Sequence, residues 1–185
     1  DVSYDTAQDK TLLTFRDPSN DGGGYNYVRG SVLTISGDSN YYNASGSGSG
    51  SADNIGSYNQ VHSKIRTDYN ATAGCHLVPY RNTSAHMTCR VVTISSGAIV
   101  LGTEITDSSQ VSKHNESVVA ITGTSNFLYT GVDGVLLITR VISVNGTTPT
   151  YHTAVSGRNV NSAHLRLIYD PDQAKGVIFY DDPTT

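Results

Sequence analysis

Charge is scarce in this chain, and the scarcity excludes more functions than any motif proposes. Asp, Glu, Lys and Arg make up 15% of the residues, where about 25% is usual. The net charge is −4 and the basic residues are scattered singly. No cationic patch exists to displace counterions from a phosphate backbone, so nucleic acid is not an expected partner. Long apolar runs are missing too. The longest, Gly134 to Ile142, contains Thr139 and Arg140 and falls far short of the ~20 residues of a spanning helix, so no membrane span is expected. No long amphipathic helical pattern occurs.

Catalytic motifs are equally sparse. There is no Gly-x-Ser-x-Gly elbow, and Ser47-Gly48-Ser49-Gly50-Ser51 is repetition without the strand-to-helix context that the elbow needs. The six histidines, at positions 62, 76, 86, 114, 152 and 164, show neither helical i, i+4 pairing nor tight Cys/His spacing. They read as surface or strand-face side chains. Asp133, Glu104 and Glu116 are the carboxylates nearest the apolar runs, and Asp133, just before Gly134, reads as a cap on its local backbone. The expected catalytic, cofactor and metal residues are therefore none.

What the chain has instead is 18 glycines, 12 tyrosines and polarity carried by Ser, Thr and Asn, an extracellular all-β composition. Its 185 residues suffice for one domain with a sizeable core. It opens at Asp1 without an apolar leader, which is the expectation for a mature secreted form. Five sequons agree with secretion: Asn43, Asn70, Asn82, Asn115 and Asn145, each followed at the second position by Ser or Thr. Cys75 and Cys89, fourteen positions apart, read as one disulfide worth roughly 3 kcal/mol by loop closure. Two reduced core thiols are the alternative.

Along the chain, residues 1–10 read as a polar arm and 11–185 as a single all-β domain. Thr11 to Phe15, Tyr25 to Ser36 and Tyr58 to Tyr69 read as strands. Ser95-Ser96-Gly97 and Asn145-Gly146 are hairpin turns, and Asp170-Pro171-Asp172 closes a last hairpin. An 86-residue echo sets Val32, Ile35, Gly37, Tyr41 and Gly48 opposite Val118, Ile121, Gly123, Phe127 and Gly134. The expectation is an antiparallel β-barrel or closed sandwich of about eight to ten strands, with two pseudo-repeated halves.

The repeated element carries a resemblance. Gly37, Tyr41, Ala44 and Gly46 follow the turn glycine, aromatic and Ala-x-Gly of the allene oxide cyclase and dirigent barrels. Gly123 and Phe127 fit again, while Thr130 and Val132 stand where Ala and Gly are expected. The resemblance covers about residues 86–144 and implies an eight-stranded, often oligomeric barrel whose apolar interior holds a small organic ligand. It assigns no catalytic residue, since no position matches the carboxylate and arginine sites of either branch. Two functions from different classes are thus expected. The first is a secreted, N-glycosylated structural or interaction protein, a self-assembling coat or filament subunit. The second is a dirigent-like or cyclase-like barrel steering the closure or coupling of a small apolar substrate. A homo-oligomer or polymer, a small apolar ligand and a glycan are the partners these readings imply.

Overall fold

A computed structural model describes residues 1–17, 26–35, 42–45, 53–58, 65–111, 116–160 and 164–181. Among these residues there is no helix, and all sixteen strands pair antiparallel. The first sheet holds β1 (Val2–Asp5), β2 (Lys10–Asp17), β3 (Asn26–Ile35), β4 (Tyr42–Ser45) and β5 (Asp53–Tyr58). The second holds β6 (Asp68–Asn70), β7 (Cys75–Arg81), β8 (His86–Ser95) and β9 (Ala98–Val111). The third holds β10 (Ser117–Ala120), β11 (Asn126–Asp133), β12 (Leu136–Asn145), β13 (Thr148–Tyr151) and β14 (Val155–Asn159), and a last ribbon pairs β15 (Leu165–Asp170) with β16 (Lys175–Tyr180).

Each of the three sheets is a meander in chain order. In the first and third, the ten-residue third strand carries two short strands on its far edge: β4 and β5 on β3, β13 and β14 on β12. The sheets stack face to face in sequence order. β1 touches β6, β6 touches β10, and β10 touches β15, so the first strand of every unit lies on one common inner line. Face-packed antiparallel sheets of this kind form a sandwich-like architecture.

A separate apolar core fills each seam. Leu12, Val28 and Ile55 of the first sheet meet Val78, Tyr80 and Val92 of the second. Leu77, Met87 and Val91 meet Phe127, Tyr129 and Ile142. Val132, Leu137 and Val160 meet Leu165 of the ribbon. The second sheet is therefore covered on both faces, and β7 is buried at all seven positions, as expected where alternate residues point into two cores. Backbones come close enough at the second seam that a Cβ on Gly102 would lie 2.7 Å from Thr147 O.

One turn recurs three times. Asp5, Asn70 and Asp170, each preceded by a tyrosine, accept two backbone N–H groups through Oδ1: Ala7 and Gln8, Thr72 and Ala73, Asp172 and Gln173. Four residues on, Asp9, Gly74 and Ala174 take positive φ of 52°, 65° and 50°, and the second strand of the unit starts at the next residue. The Asx side chain closes the turn that the backbone alone would leave open. The expected hairpins form as well, with Ser96 and Gly97 both at positive φ between β8 and β9, and Gly146 between β12 and β13.

The expected all-β antiparallel fold is what forms, and packed sheets agree with its sandwich alternative: among the described residues no sheet closes into a barrel, and the strands number sixteen. Other expectations are corrected. Residues 1–10 are no arm: β1 pairs with β2 from Val2↔Leu13 to Asp5↔Lys10. The 86-residue echo does not join equivalent strands, because Val32 lies in the third strand of its sheet and Val118 in the first strand of another. Phe127 is fully buried and Ile121 half-buried, whereas Gly37, Tyr41, Gly48 and the side chain of Ile35 lie outside the described residues. Of the expected Tyr58 to Tyr69 strand, residues 59–64 lie outside the described set and only Asp68–Asn70 pairs with β7.

The disulfide is absent, and register explains why. Cys89 sits opposite Pro79 in the β7–β8 pair, so Cys75, four residues earlier on β7, is about 13 Å away along the strand, well beyond the ~7 Å Cα limit for a bridge. Both cysteines are buried free thiols in the second core, and burial pushes each up to about 12.

Two measurements check this architecture. Phe127→Ala is expected to lower unfolding free energy by about 3 to 5 kcal/mol as a core truncation, read from urea titration, while Val155→Ala at a 69% exposed site stays within about 0.5 kcal/mol. An aromatic disulfide reagent should find neither thiol in the native protein and both after denaturation. A mass lower by the two hydrogens of a disulfide would contradict the register.

Candidate functional site

The most catalytic-looking grouping lies at the inner end of the first seam. Along β1, Ser3 and Asp5 alternate with exposed Val2 and Tyr4, so they face the second sheet, where the even positions of β7 face back. His76 meets them there. Ser3 Oγ lies 2.5 Å from His76 Nδ1, Asp5 Oδ2 lies 4.0 Å from Nε2, and the Tyr69 ring is tilted beside the imidazole at 5.0 Å. Ser, His and Asp are the side chains of a hydrolase triad, but here their exposures are 7%, 0% and 2%. A substrate has no path to Ser3. Burial pushes His76 down to about 4, outweighing the opposing pull of Asp5, so the ring is neutral. With the carboxylate on its Nε2 side, the ring carries its proton there and accepts the Ser3 hydroxyl at Nδ1.

A wide concavity among the described residues opens at the outer end of the second seam. It has a volume of about 510 Å³ and is lined by Thr106, Asp107 and Gln110 of β9, Arg140 of β12, Tyr151 of β13 and the following His152. Arg140 is 6% exposed, with Nη1 2.7 Å from Asp107 Oδ2 and its guanidinium 4.9 Å from the centre of the Tyr151 ring. Burial raises Asp107, but hydrogen bonds from Ser109 and Arg140 outweigh it and hold the carboxyl below its ordinary range. Burial, reinforced by Cys89, holds the Tyr151 phenol far above its usual range. Asp107 is thus held as the carboxylate and Tyr151 as the neutral phenol. What the groove offers is hydroxyl and amide hydrogen bonding around a neutralised pair.

The expected site residues scatter. Asn145 lies exposed at a hairpin turn, and Asn82 caps a turn by accepting from the N–H groups of Ser84 and His86 at 3.0 Å. Asn70 is the most enclosed of the described sequon residues. It is 2% exposed, and its Nδ2, the atom a sugar would need, donates to Asn126 O at 2.8 Å. Asn115 and the side chain of Asn43 lie outside the described residues. Glu104 accepts from Tyr80 and pairs with Arg90 at 3.2 Å, Glu116 is buried at 1% exposure, and Asp133 ends β11 half-buried. Among the described residues no three or more His, Cys, Asp or Glu side chains converge as a metal site would need.

Sequence reading passed over Ser3, Asp5, Asp107 and Arg140. The alternation Val2-Ser3-Tyr4-Asp5 was the available signal for the first two. For Asp107 and Arg140 no local signal existed, since each is buried by the other's sheet. No protein-family model matches the chain, and no curated protein matches it.

The His76 environment makes stability depend on pH in a defined window. Folded His76 protonates near 4 and unfolded histidine near 6.5, so between those values only the unfolded chain takes up the proton. Its contribution is complete above pH 6.5 and falls by about 3 kcal/mol as pH drops toward 4. Urea midpoints at pH 7 and pH 4.5 should differ more in the parent protein than in His76→Gln; equal differences would remove His76 as the source.

Proposed function

We propose that this chain is an extracellular interaction and assembly protein whose units stack head to tail onto further copies of itself. One observation carries the proposal: side chains exposed at the two ends of the stack occupy positions that are buried where a unit has neighbours. Aligning the recurrent turns sets Leu12, Leu77 and Val177 in one position, and the first two are 0% exposed while Val177 is 39% exposed. Ile168 and Phe179 share that face of the ribbon, at 44% and 55%. At the other end Tyr4, equivalent to Tyr69, is 50% exposed where Tyr69 is 9%. The chain already makes this contact three times internally, so a second copy placing its first sheet on the ribbon would repeat it. Such a heterologous contact closes into a ring or extends as a filament.

Low charge, abundant Tyr, Ser and Thr, and sequons at the Asn82 and Asn145 turns support a secreted, N-glycosylated setting, and the polar groove beside Arg140 suits a glycan or other polyhydroxyl partner. The dirigent-like alternative has less behind it. It needs an apolar cavity, and the apolar pocket lined by Met87, Tyr129, Val132 and Ile138 has room for about 10 Å³, one water at most.

Sedimentation over a wide dilution series tests the proposal. The parent protein is expected to grow in mass with concentration, and Val177→Asp or Tyr4→Asp to remain monomeric, since each destroys one end. Mixing the two variants leaves one intact end on each and should give a dimer and nothing larger. A parent that is monomeric throughout, or variants that associate as it does, would sink the reading.

A further inference from the structure

The inner line of the stack carries a feature that stacking does not require. Arg66 and Arg166 each stand three residues before the tyrosine of a recurrent turn, Tyr69 and Tyr169. Although β10 lies between β6 and β15, both arginines border the same space and each feels the other's charge. They line two adjoining concavities of about 330 and 290 Å³, where the segments leading into β1 and β6 meet β10 and β15.

The carboxylates beside them are already committed. Asp1 Oδ2 accepts from Thr67 N at 2.9 Å, and Asp68 accepts from Tyr69 N at 2.9 Å and Ala120 N at 2.8 Å. Arg66 approaches Asp1 Oδ1 only to 3.7 Å, outside hydrogen-bond range. Arg166 is exposed, with no hydrogen bond or ion pair among the described residues. Burial, and then the charge of Arg166, destabilise the protonated Arg66. Two like charges thus face one polar pocket with their donor forks unfilled.

We propose that this pocket binds a small oxyanion carried on a polar molecule, gripped between Arg66 and Arg166. Guanidinium forks match carboxylate and phosphate oxygens in paired, charge-assisted hydrogen bonds, and an anion between the two would relieve their repulsion. The combined space accepts a ring the size of a monosaccharide, so sugar acids and sugar phosphates are the ligand classes that fit. All the lining residues belong to one chain, and because Ile168 and Phe179 of the ribbon's outer face border the site, the binding test is run on the Tyr4→Asp variant, which leaves the site's lining intact.

Calorimetric titration with glucuronate, glucose 6-phosphate and glucose distinguishes the sources of the anion. Binding of either anion with no binding of glucose is the expected result, and which anion binds identifies the carboxylate or the phosphate as the natural group. Arg166→Gln should weaken that binding roughly tenfold or more, and Arg166→Lys should retain part of it. The unfolding midpoint should move little, because Arg166 makes no hydrogen bond or close ion pair among the described residues and its charge acts in opposite senses on Asp68 and Arg66. Failure of both anions to bind, equal binding of glucose, or undiminished binding by Arg166→Gln would overturn the proposal.

Discussion

The stack depends on one kind of contact, made at every inner seam: a side-chain oxygen on, or just before, the first strand of one unit accepts a backbone N–H on, or just before, the first strand of the next. Asp1 accepts from Thr67, Asp68 from Ala120, and Ser117 from Leu167. An innermost strand is the edge of its sheet, and its N–H groups have no strand partner on that side. Left unpaired in a buried seam, each would cost about 1 to 3 kcal/mol. The bridging oxygens satisfy them and at the same time set the height at which one sheet sits against its neighbour. The apolar cores further out can interdigitate only at that height.

Polarity in this protein is therefore concentrated at the seams. Asn70 donates to Asn126 O across the second, and the Ser3–His76 bond and nearby Asp5 occupy the first. On the outer side, Arg90 donates to Ile55 O, and Arg140 pairs with Asp107. A chain with 15% charged residues uses several of them where two sheets meet. A buried charge without its partner is strongly destabilising, so these pairs select one neighbour and one alignment. The same economy bears on function. Among the described residues, Ser3, Asp5 and His76 are sealed in the first seam and Asp107 is paired with Arg140.

The two ends differ from the interior in composition of contact rather than of residue. Val177, Ile168 and Phe179 are chemically the side chains that a core position demands, yet they are open. Exposed apolar side chains gathered on one sheet face mark an interaction surface more often than chance. Inside the molecule the equivalent positions, Leu12 and Leu77, are fully covered by the neighbouring sheet.

Local chemistry determined the strands and their turns. Alternating runs gave antiparallel pairs, and the hairpins at Ser96-Gly97 and Asn145-Gly146 formed where expected because positive φ is a property of two residues and needs no distant partner. The recurrent Tyr-Asx turn was also legible, at positions 4, 69 and 169, but its spacings of 65 and 100 residues defeat comparison at a fixed offset, and the 86-residue echo aligned strands of different rank. The rest was decided by packing between sheets. Cysteine spacing suggested a closed loop until register placed Cys89 opposite Pro79. Ser3, Asp5, Asp68, Ser117 and Arg140 read as ordinary polar residues, and each became structural because a side chain or backbone group from another sheet, some fifty residues or more away in several cases, arrived to complete it. Burial of a polar group is set by what lies across the seam, and that information is not local to any stretch of the chain.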